Sequence, residues 1–220
     1  MNYYSDLNHI MATTNAPSGT EQTLEYSVDL SLHRFGVPYK TFLSSIPYDS
    51  SRVTYHWVVV SAVVFDLQDR ILLIQRSATG FFPGRWEVPG GGCEEEDKSI
   101  IDSMVRELRE ETGLKAVSVG PAIGEGYHFP VGSGRTACKY SFLVEVVSQA
   151  GESGKVEVQL DPNEHQNHVW ATEEEVRAGR VGDIALKFTS SDQEKAILEA
   201  FGLRMKSKIA DGTAVVAVEQ

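Results

Sequence analysis

Residues 90–114 read GGGCEEEDKSIIDSMVRELREETGL, and this stretch decides the fold and indicates the chemistry. It places Glu107, Glu110 and Glu111 at offsets of zero, three and four, which share one face of a helix. Three like charges at that separation repel one another unless a multivalent cation lies between them. Carboxylate oxygens are the ligands that a hard cation such as Mg²⁺ prefers, so the stretch predicts a metal-binding helix.

The composition of the whole chain agrees with this interpretation. The chain has 220 residues, of which 41% are hydrophobic, so it can bury a full core in one main domain. Its formal net charge of -11 argues against binding to a nucleic acid duplex, because phosphate contacts require clustered Lys and Arg. An acidic protein that acts on an anionic substrate needs a cation to bridge the two.

Targeting signals and a disulfide framework are both unexpected here. No run approaches the roughly 18 continuous apolar residues that cross a bilayer, and the first residues lack the pattern of a secretory signal. Cys93 and Cys138 are too few for a disulfide framework and are not at metal-ligand spacing. We therefore expect a cytoplasmic protein without membrane contact.

The chain divides into three parts by composition. Residues 1–50 are predicted to be an N-terminal extension that packs on the core or on a second subunit, which would make a homodimer possible. Residues 51–205 are predicted to form one mixed α/β domain, followed by a mobile tail over 206–220. No internal repeat interrupts this organisation.

Hydrophobic periodicity and capping residues predict the elements of the domain. The apolar runs at 57–65 and 71–74 are predicted to form a hairpin, and residues 86–88 a short strand. A helix is predicted from the N-cap Ser99 to Gly113. Further strand-like segments lie at 114–119, 137–147, 156–160 and 168–171, and two short helices are predicted to start at capping boxes, Thr172 with Glu175 and Ser191 with Glu194.

The segment from Gly92 to Leu114 resembles the Nudix box, G-x5-E-x7-R-E-U-x-E-E-x-G-U, where U is apolar. One defined position departs from the pattern, because Lys98 stands where the box has its first glutamate. The segments RILLIQRS and WEVPGGG upstream also look like the family, and the resemblance covers roughly residues 51–180. The defined positions that match are Gly92, Arg106, Glu107, Leu108, Glu110, Glu111, Gly113 and Leu114.

This resemblance implies an α/β/α Nudix sandwich with a mixed sheet. It also implies hydrolysis of a diphosphate bond in a nucleoside diphosphate linked to another group, with Mg²⁺ or Mn²⁺ held by Glu107, Glu110 and Glu111. Arg106 would orient Glu110 across one helical turn. Glycines let the backbone approach a phosphate closely, a role expected here for Gly90, Gly91 and Gly92.

The resemblance does not by itself identify the general base or the substrate contacts. Glu107 and Glu110 are candidate bases, but we prefer Glu164, from a loop segment that resembles the family's region of an additional acidic residue. Phe82 and Tyr127 lie in loop-like stretches and are candidate substrate contacts. His165 is not expected to bind a hard cation. The charges at 94–97 are expected to face solvent, and Lys98 to point outward toward them.

Two other functions stay open at this level. A Nudix fold recruited to another reaction, such as isomerisation or removal of diphosphate from a prenyl or other organic compound, is suggested by Lys98 and the N-terminal extension. A ligand-binding module that only keeps the fold has no need of three clustered glutamates. The sequence does not choose the substrate, because loops make the specific contacts.

Overall fold

A computed structural model describes residues 26–46, 53–147 and 156–210 of the chain. The helices within these ranges are a 3-10 helix at Leu30–Phe35, α1 at Tyr39–Ser45, α2 at Ile100–Thr112, α3 at Glu173–Ala178 and α4 at Ser191–Ala210. The strands are β1 at Ser27–Val28, β2 at Trp57–Val64, β3 at Ile71–Arg76, β4 at Trp86–Glu87, β5 at Ala116–Pro130, β6 at Thr136–Val146, β7 at His165–Ala171, β8 at Arg180–Val181 and β9 at Ile184–Ala185.

The strands form two main sheets. In the first, the order is β1-β5-β6-β2, with an antiparallel β5–β6 pair and a parallel pair at each side, so the predicted mixed sheet is confirmed. In the second, β3 lies between β4 and β7 in an antiparallel arrangement. β8 and β9 form a small separate hairpin.

Helices cover both sides of these strands and produce two cores. Val60 on β2 and Ile74 on β3 pack with the apolar face of α2, which includes Met104. The alternate residues of the same strands, such as Leu73, pack in a second core with Ile197 of α4. Because both faces are buried, the strands appear in the sequence as continuous apolar runs. The α/β/α arrangement predicted from the resemblance is confirmed.

The predicted hairpin between residues 57–65 and 71–74 is wrong. β2 pairs along its whole length with β6, whereas β3 pairs with β4 and β7. A single bridge between Phe65 and Ile71 is the contact that joins the two strands as neighbours. A strand buried on both faces carries no local signal for its partner, so proximity in sequence was misleading. Residues 156–160, predicted as a strand, have no regular structure.

Local capping signals give mixed results. α2 begins after Ser99, whose side chain accepts the backbone N–H of Asp102, and ends at Gly113 in the left-handed conformation with φ 70°, as predicted. The predicted cap of the last helix is one residue off, because Ser190 Oγ accepts the N–H of Gln193 at 3.0 Å. α4 is also long, with 20 residues, and runs past the predicted domain end at 205. Residues 211–220 of the predicted tail lie outside the described residues.

The described part of the predicted N-terminal extension packs on the core of this same chain. Leu32, Phe35 and Phe42 are buried, and the Phe35 ring meets the ring of Phe142 on β6 at a centroid distance of 5.0 Å. Residues 1–25 and 47–52 lie outside the described residues, and a homodimer stays a prediction. None of the helices in the described ranges has the length and apolar content to cross a membrane.

Candidate active site

The glycine run at 90–92 follows β4, and its first two residues pack closely against β2 and α2. The backbone N–H of Gly90 donates to Glu111 Oε2 at 2.6 Å. A Cβ on Gly90 would lie 2.1 Å from the carbonyl oxygen of Val60, and one on Gly91 would lie 2.5 Å from the carboxylate of Glu107. The backbone of β2 therefore excludes a side chain at Gly90, whereas the close contact at Gly91 is with the end of the Glu107 side chain. A Cβ on Gly92 would meet no atom within 4 Å, so Gly92 best fits the predicted approach of a phosphate.

Glu164 and Glu111 come together although they are far apart in sequence. One ligand atom from each of Glu111, Glu164 and His165 lies within 4.8 Å of the others. The backbone N–H of Asp161 donates to the carbonyl of Glu111 at 3.3 Å, and that of Ser77 donates to the carbonyl of Glu164 at 2.7 Å. The first bond ties the loop before β7 to the end of α2, and the second ties Glu164 to the residue directly after β3. Two carboxylates and an imidazole form a donor set that fits a divalent cation.

His165, which the sequence did not favour as a ligand, is part of this cluster. Its side chain is buried, with Nε2 at 3.4 Å from Glu87 Oε1 and 3.8 Å from Glu111 Oε1. Nδ1 has no hydrogen-bond partner among the described residues. This placement has no local signal in the sequence, because it depends on the pairing of β7 with β3.

The electrostatics of the cluster favour a bound cation. Burial, and then the charge of Glu87, raise the pKa of Glu111 well above its ordinary value. Burial likewise raises the pKa of Glu107 to about 6, although Arg106 opposes this shift. Carboxylates with raised pKa values keep protons that a bound cation would displace. The side chain of Glu110 is 60% exposed.

Arg106 connects the glycine run, the following loop and α2. Its Nη1 donates to Glu107 Oε1 and to Glu110 Oε2, each at 3.0 Å, so the predicted contact with Glu110 is present. Its Nη2 donates to the carbonyl of Gly92 at 3.0 Å. The guanidinium thus lies beside two of the three helix glutamates.

The prediction that residues 94–97 all face solvent is wrong for Asp97, whose side chain is only 9% exposed. Its two carboxylate oxygens accept from Nε and Nη2 of Arg106 at 2.9 and 3.0 Å. Lys98 is exposed, as predicted, but its ammonium makes no ion pair with Glu94, Glu95 or Glu96 within the described ranges. An acidic residue directly beside the substituted box position was the signal that could have identified Asp97.

A buried polar network continues from the cluster toward α4. Glu87 accepts from Arg76 at 2.6 Å, and Lys139 Nζ donates to Gln193 Oε1 at 3.0 Å. Tyr127, a predicted substrate contact, is half-buried and donates to the same Gln193 oxygen at 3.2 Å. Burial alone would raise the pKa of Glu87, but contacts with His165, Lys139 and Arg76 lower it overall. Sequence periodicity could not show that these residues share one interior.

Phe82, the other predicted substrate contact, lies on the loop between β3 and β4. Phe81 and Phe82 are 84% and 58% exposed, and Phe82 has a positive φ of 54°. Arg76 donates from Nε to the carbonyl of Phe81 at 2.6 Å and also binds Glu87. This arginine therefore anchors the exposed aromatic loop beside the buried network.

The family model for the NUDIX domain matches residues 55–191, so this chain belongs to the Nudix hydrolases. The chain is 31% identical to a CTP pyrophosphohydrolase of Escherichia coli over 154 residues, which cover 70% of this chain and 98% of that protein. It is 29% identical to the 8-oxo-dGDP phosphatase NUDT18 of Danio rerio over 112 residues, 51% of this chain and 31% of that protein.

Solved structures support the same fold. A MutT protein from Methanosarcina mazei superposes with a TM-score of 0.52 at 22% identity, covering 70% of this chain and 98% of that one. The NUDIX domain of Shewanella oneidensis NrtR, solved with ADP ribose, gives a TM-score of 0.52 at 20% identity and covers 75% and 97%. At these identities, the likeness concerns the fold.

Proposed function

We propose that this chain is a metal-dependent hydrolase that cleaves a diphosphate bond in a nucleoside diphosphate linked to another group. The observation that carries the proposal is the convergence of Glu111, from the Nudix helix, with Glu164, from a distant loop. The carboxylates of Glu111, which is buried, and of Glu164, which is exposed, lie within 4.8 Å of each other, and a cation between them would offset their repulsion. The E. coli relative is named for CTP, in which a nucleoside diphosphate is linked to a further phosphate.

Glu107, Glu110 and Glu111 would hold Mg²⁺ or Mn²⁺, with Glu110 at the exposed edge and Glu164 beside Glu111. When bound, the cation supplies Lewis acidity toward the diphosphate oxygens and lowers the pKa of a coordinated water. Arg106 keeps Glu107 and Glu110 in place through its Nη1.

We assign Glu164 as the general base. Within the described residues, its carboxylate has no side-chain hydrogen-bond partner, whereas Glu107 is bound to Arg106 and Glu111 to the N–H of Gly90. A carboxylate that is exposed and unpaired can accept the proton of the attacking water. The water oxygen bonds to phosphorus, the bond from phosphorus to the bridging oxygen breaks, and the second phosphate leaves with that oxygen.

The recognition of the rest of the substrate would involve the Phe82 loop and the Tyr127 side of the cleft. Phe82 is an exposed aromatic ring that could stack on a nucleobase. Tyr127 is half-buried on β5, and its hydroxyl is held by the buried Gln193 of α4. The loop and the network are tethered to each other through Arg76 and Glu87.

The test is a hydrolysis panel on the full chain with Mg²⁺, with Mn²⁺ and with a chelator. CTP, 8-oxo-dGDP, ADP-ribose and a prenyl diphosphate would be compared by product analysis, with Glu164→Gln as the variant. We expect a nucleoside monophosphate from at least one nucleotide, loss of turnover with the chelator, and a large loss in the variant. Turnover of the prenyl compound alone would favour the recruited enzyme, and the absence of any turnover would favour a binding module.

A further inference from the structure

The carboxylate of Asp97 and the guanidinium of Arg106 form a two-pronged contact. Nε meets Oδ1 at 2.9 Å and Nη2 meets Oδ2 at 3.0 Å, so both groups are fixed in one plane. The side chain of Asp97 is only 9% exposed, which limits competition from water. A contact of this kind determines orientation as well as distance.

The orientation set by Asp97 decides where the remaining nitrogen of Arg106 points. That nitrogen, Nη1, donates to both Glu107 and Glu110 at 3.0 Å. Because the guanidinium is rigid, rotation of one edge moves the other. Without the carboxylate of Asp97, Arg106 would keep its contacts with the two glutamates it is meant to place, with the carbonyl of Gly92 and, at 3.9 Å, with the exposed Glu94.

Asp97 is itself held in place on the loop that leads to α2. Its Oδ2 accepts the backbone N–H of Glu94 at 2.8 Å, and it lies two residues before the N-cap Ser99. Lys98, between them, is exposed to solvent. The residue that binds the guanidinium is thus the one directly before the box position.

We propose that Asp97 is a positioning residue of this site and supplies the carboxylate that the Nudix pattern has at the position of Lys98. The acidic function has moved by one residue along the chain, so the substitution at 98 does not remove the partner of Arg106. The proposal rests on the proposed function in one respect, because it requires that Glu107 and Glu110, the glutamates that Arg106 places, bind the metal. It leaves open which diphosphate is cleaved.

The experiment compares Asp97→Asn, Asp97→Ala and the double variant Asp97→Ala with Lys98→Glu. Mn²⁺ binding is measured by calorimetry without substrate, and kcat, KM and half-saturating metal are measured with the best substrate. Thermal melting reports folding. The matched control is Glu96→Ala, which removes an exposed acid of the same loop that has no contact with Arg106 within the described residues.

We expect Mn²⁺ affinity and kcat to fall by about 10- to 100-fold in Asp97→Asn and Asp97→Ala, with KM changed little. Lys98→Glu in the Asp97→Ala background should restore much of both, because it returns a carboxylate to the box position. Lys98→Glu alone and Glu96→Ala should change little. Asp97→Asn keeps the size of the side chain and protects the test against loss of folding in the alanine variant.

Three results would overturn the proposal. Unchanged metal binding in Asp97→Asn and Asp97→Ala, even with a lower melting temperature, would give Asp97 a purely structural role. Absence of rescue by Lys98→Glu would show that Asp97 does not stand in for the box carboxylate. A rise in KM without a change in metal affinity would place it at the substrate. Weakened Mn²⁺ binding with rescue, in a protein that hydrolyses no substrate, would uphold this inference and contradict the proposed hydrolysis.

Discussion

Replacing Glu111 by Gln tests the metal site most directly, because it keeps the size of a buried side chain and removes its charge. Glu111 is 3% exposed, and the backbone N–H of Gly90 can donate to a glutamine oxygen as it does to the carboxylate. The loss of one buried anionic ligand should lower kcat by about 10³-fold, roughly 4 kcal/mol. The assay is turnover against Mg²⁺ concentration.

Thermal melting gives a second measurement that does not depend on the substrate. A cation at about ten times its Kd stabilises the wild type by about 1.4 kcal/mol, or about 3–6 °C for a chain of this size. Glu111→Gln should lose this gain. Without metal, the variant should be as stable as the wild type or more so, because Glu111 is buried near Glu87 and its pKa is raised.

The pH dependence of the metal-free protein has a defined sign. Since the folded state holds the proton on Glu111 more tightly than the unfolded state does, stability falls as the pH rises above the unfolded value of 4.5. Glu111→Gln should reduce this fall. Glu174→Gln, on an exposed face of α3, is the matched control and should change neither turnover nor the pH dependence of stability. Near-normal turnover with unchanged metal dependence in Glu111→Gln would refute the placement of the metal.

Three further predictions follow from other contacts of the site. Arg106→Lys should lower activity and metal affinity by about 10- to 100-fold, because an ammonium cannot span the contacts of the guanidinium; a change in KM alone would assign Arg106 to the substrate. Because burial raises the pKa of Glu107 to about 6, Mn²⁺ affinity should rise by about tenfold between pH 5 and 7, and calorimetry should show a smaller rise in Glu107→Gln. Gly90→Ala should lower the free energy of unfolding, measured by melting or with denaturant, by about 3 kcal/mol or more, because its Cβ would meet a backbone carbonyl. Gly92→Ala should change it by no more than about 0.5 kcal/mol. Equal stability of the two variants would contradict the packing described here.

The sequence determined the parts of this protein that depend on neighbouring residues. The cap at Ser99, the stop at Gly113 and the apolar face of α2 are local features, and the helix begins and ends where they predict. The box positions are likewise fixed by spacing, and the family model confirms the resemblance. The mixed α/β class follows from alternating apolar runs and helices.

Only the tertiary structure decided which distant residues meet. Glu164 and His165 reach Glu111 because β7 pairs with β3, and β2 pairs with β6 instead of its neighbour in sequence. Asp97 turns toward Arg106 while Lys98 turns to solvent, a difference of one residue that composition cannot reveal. The physical reason is that strand pairing and side-chain direction minimise the free energy of the whole packed core, whereas periodicity and spacing report only on local contacts.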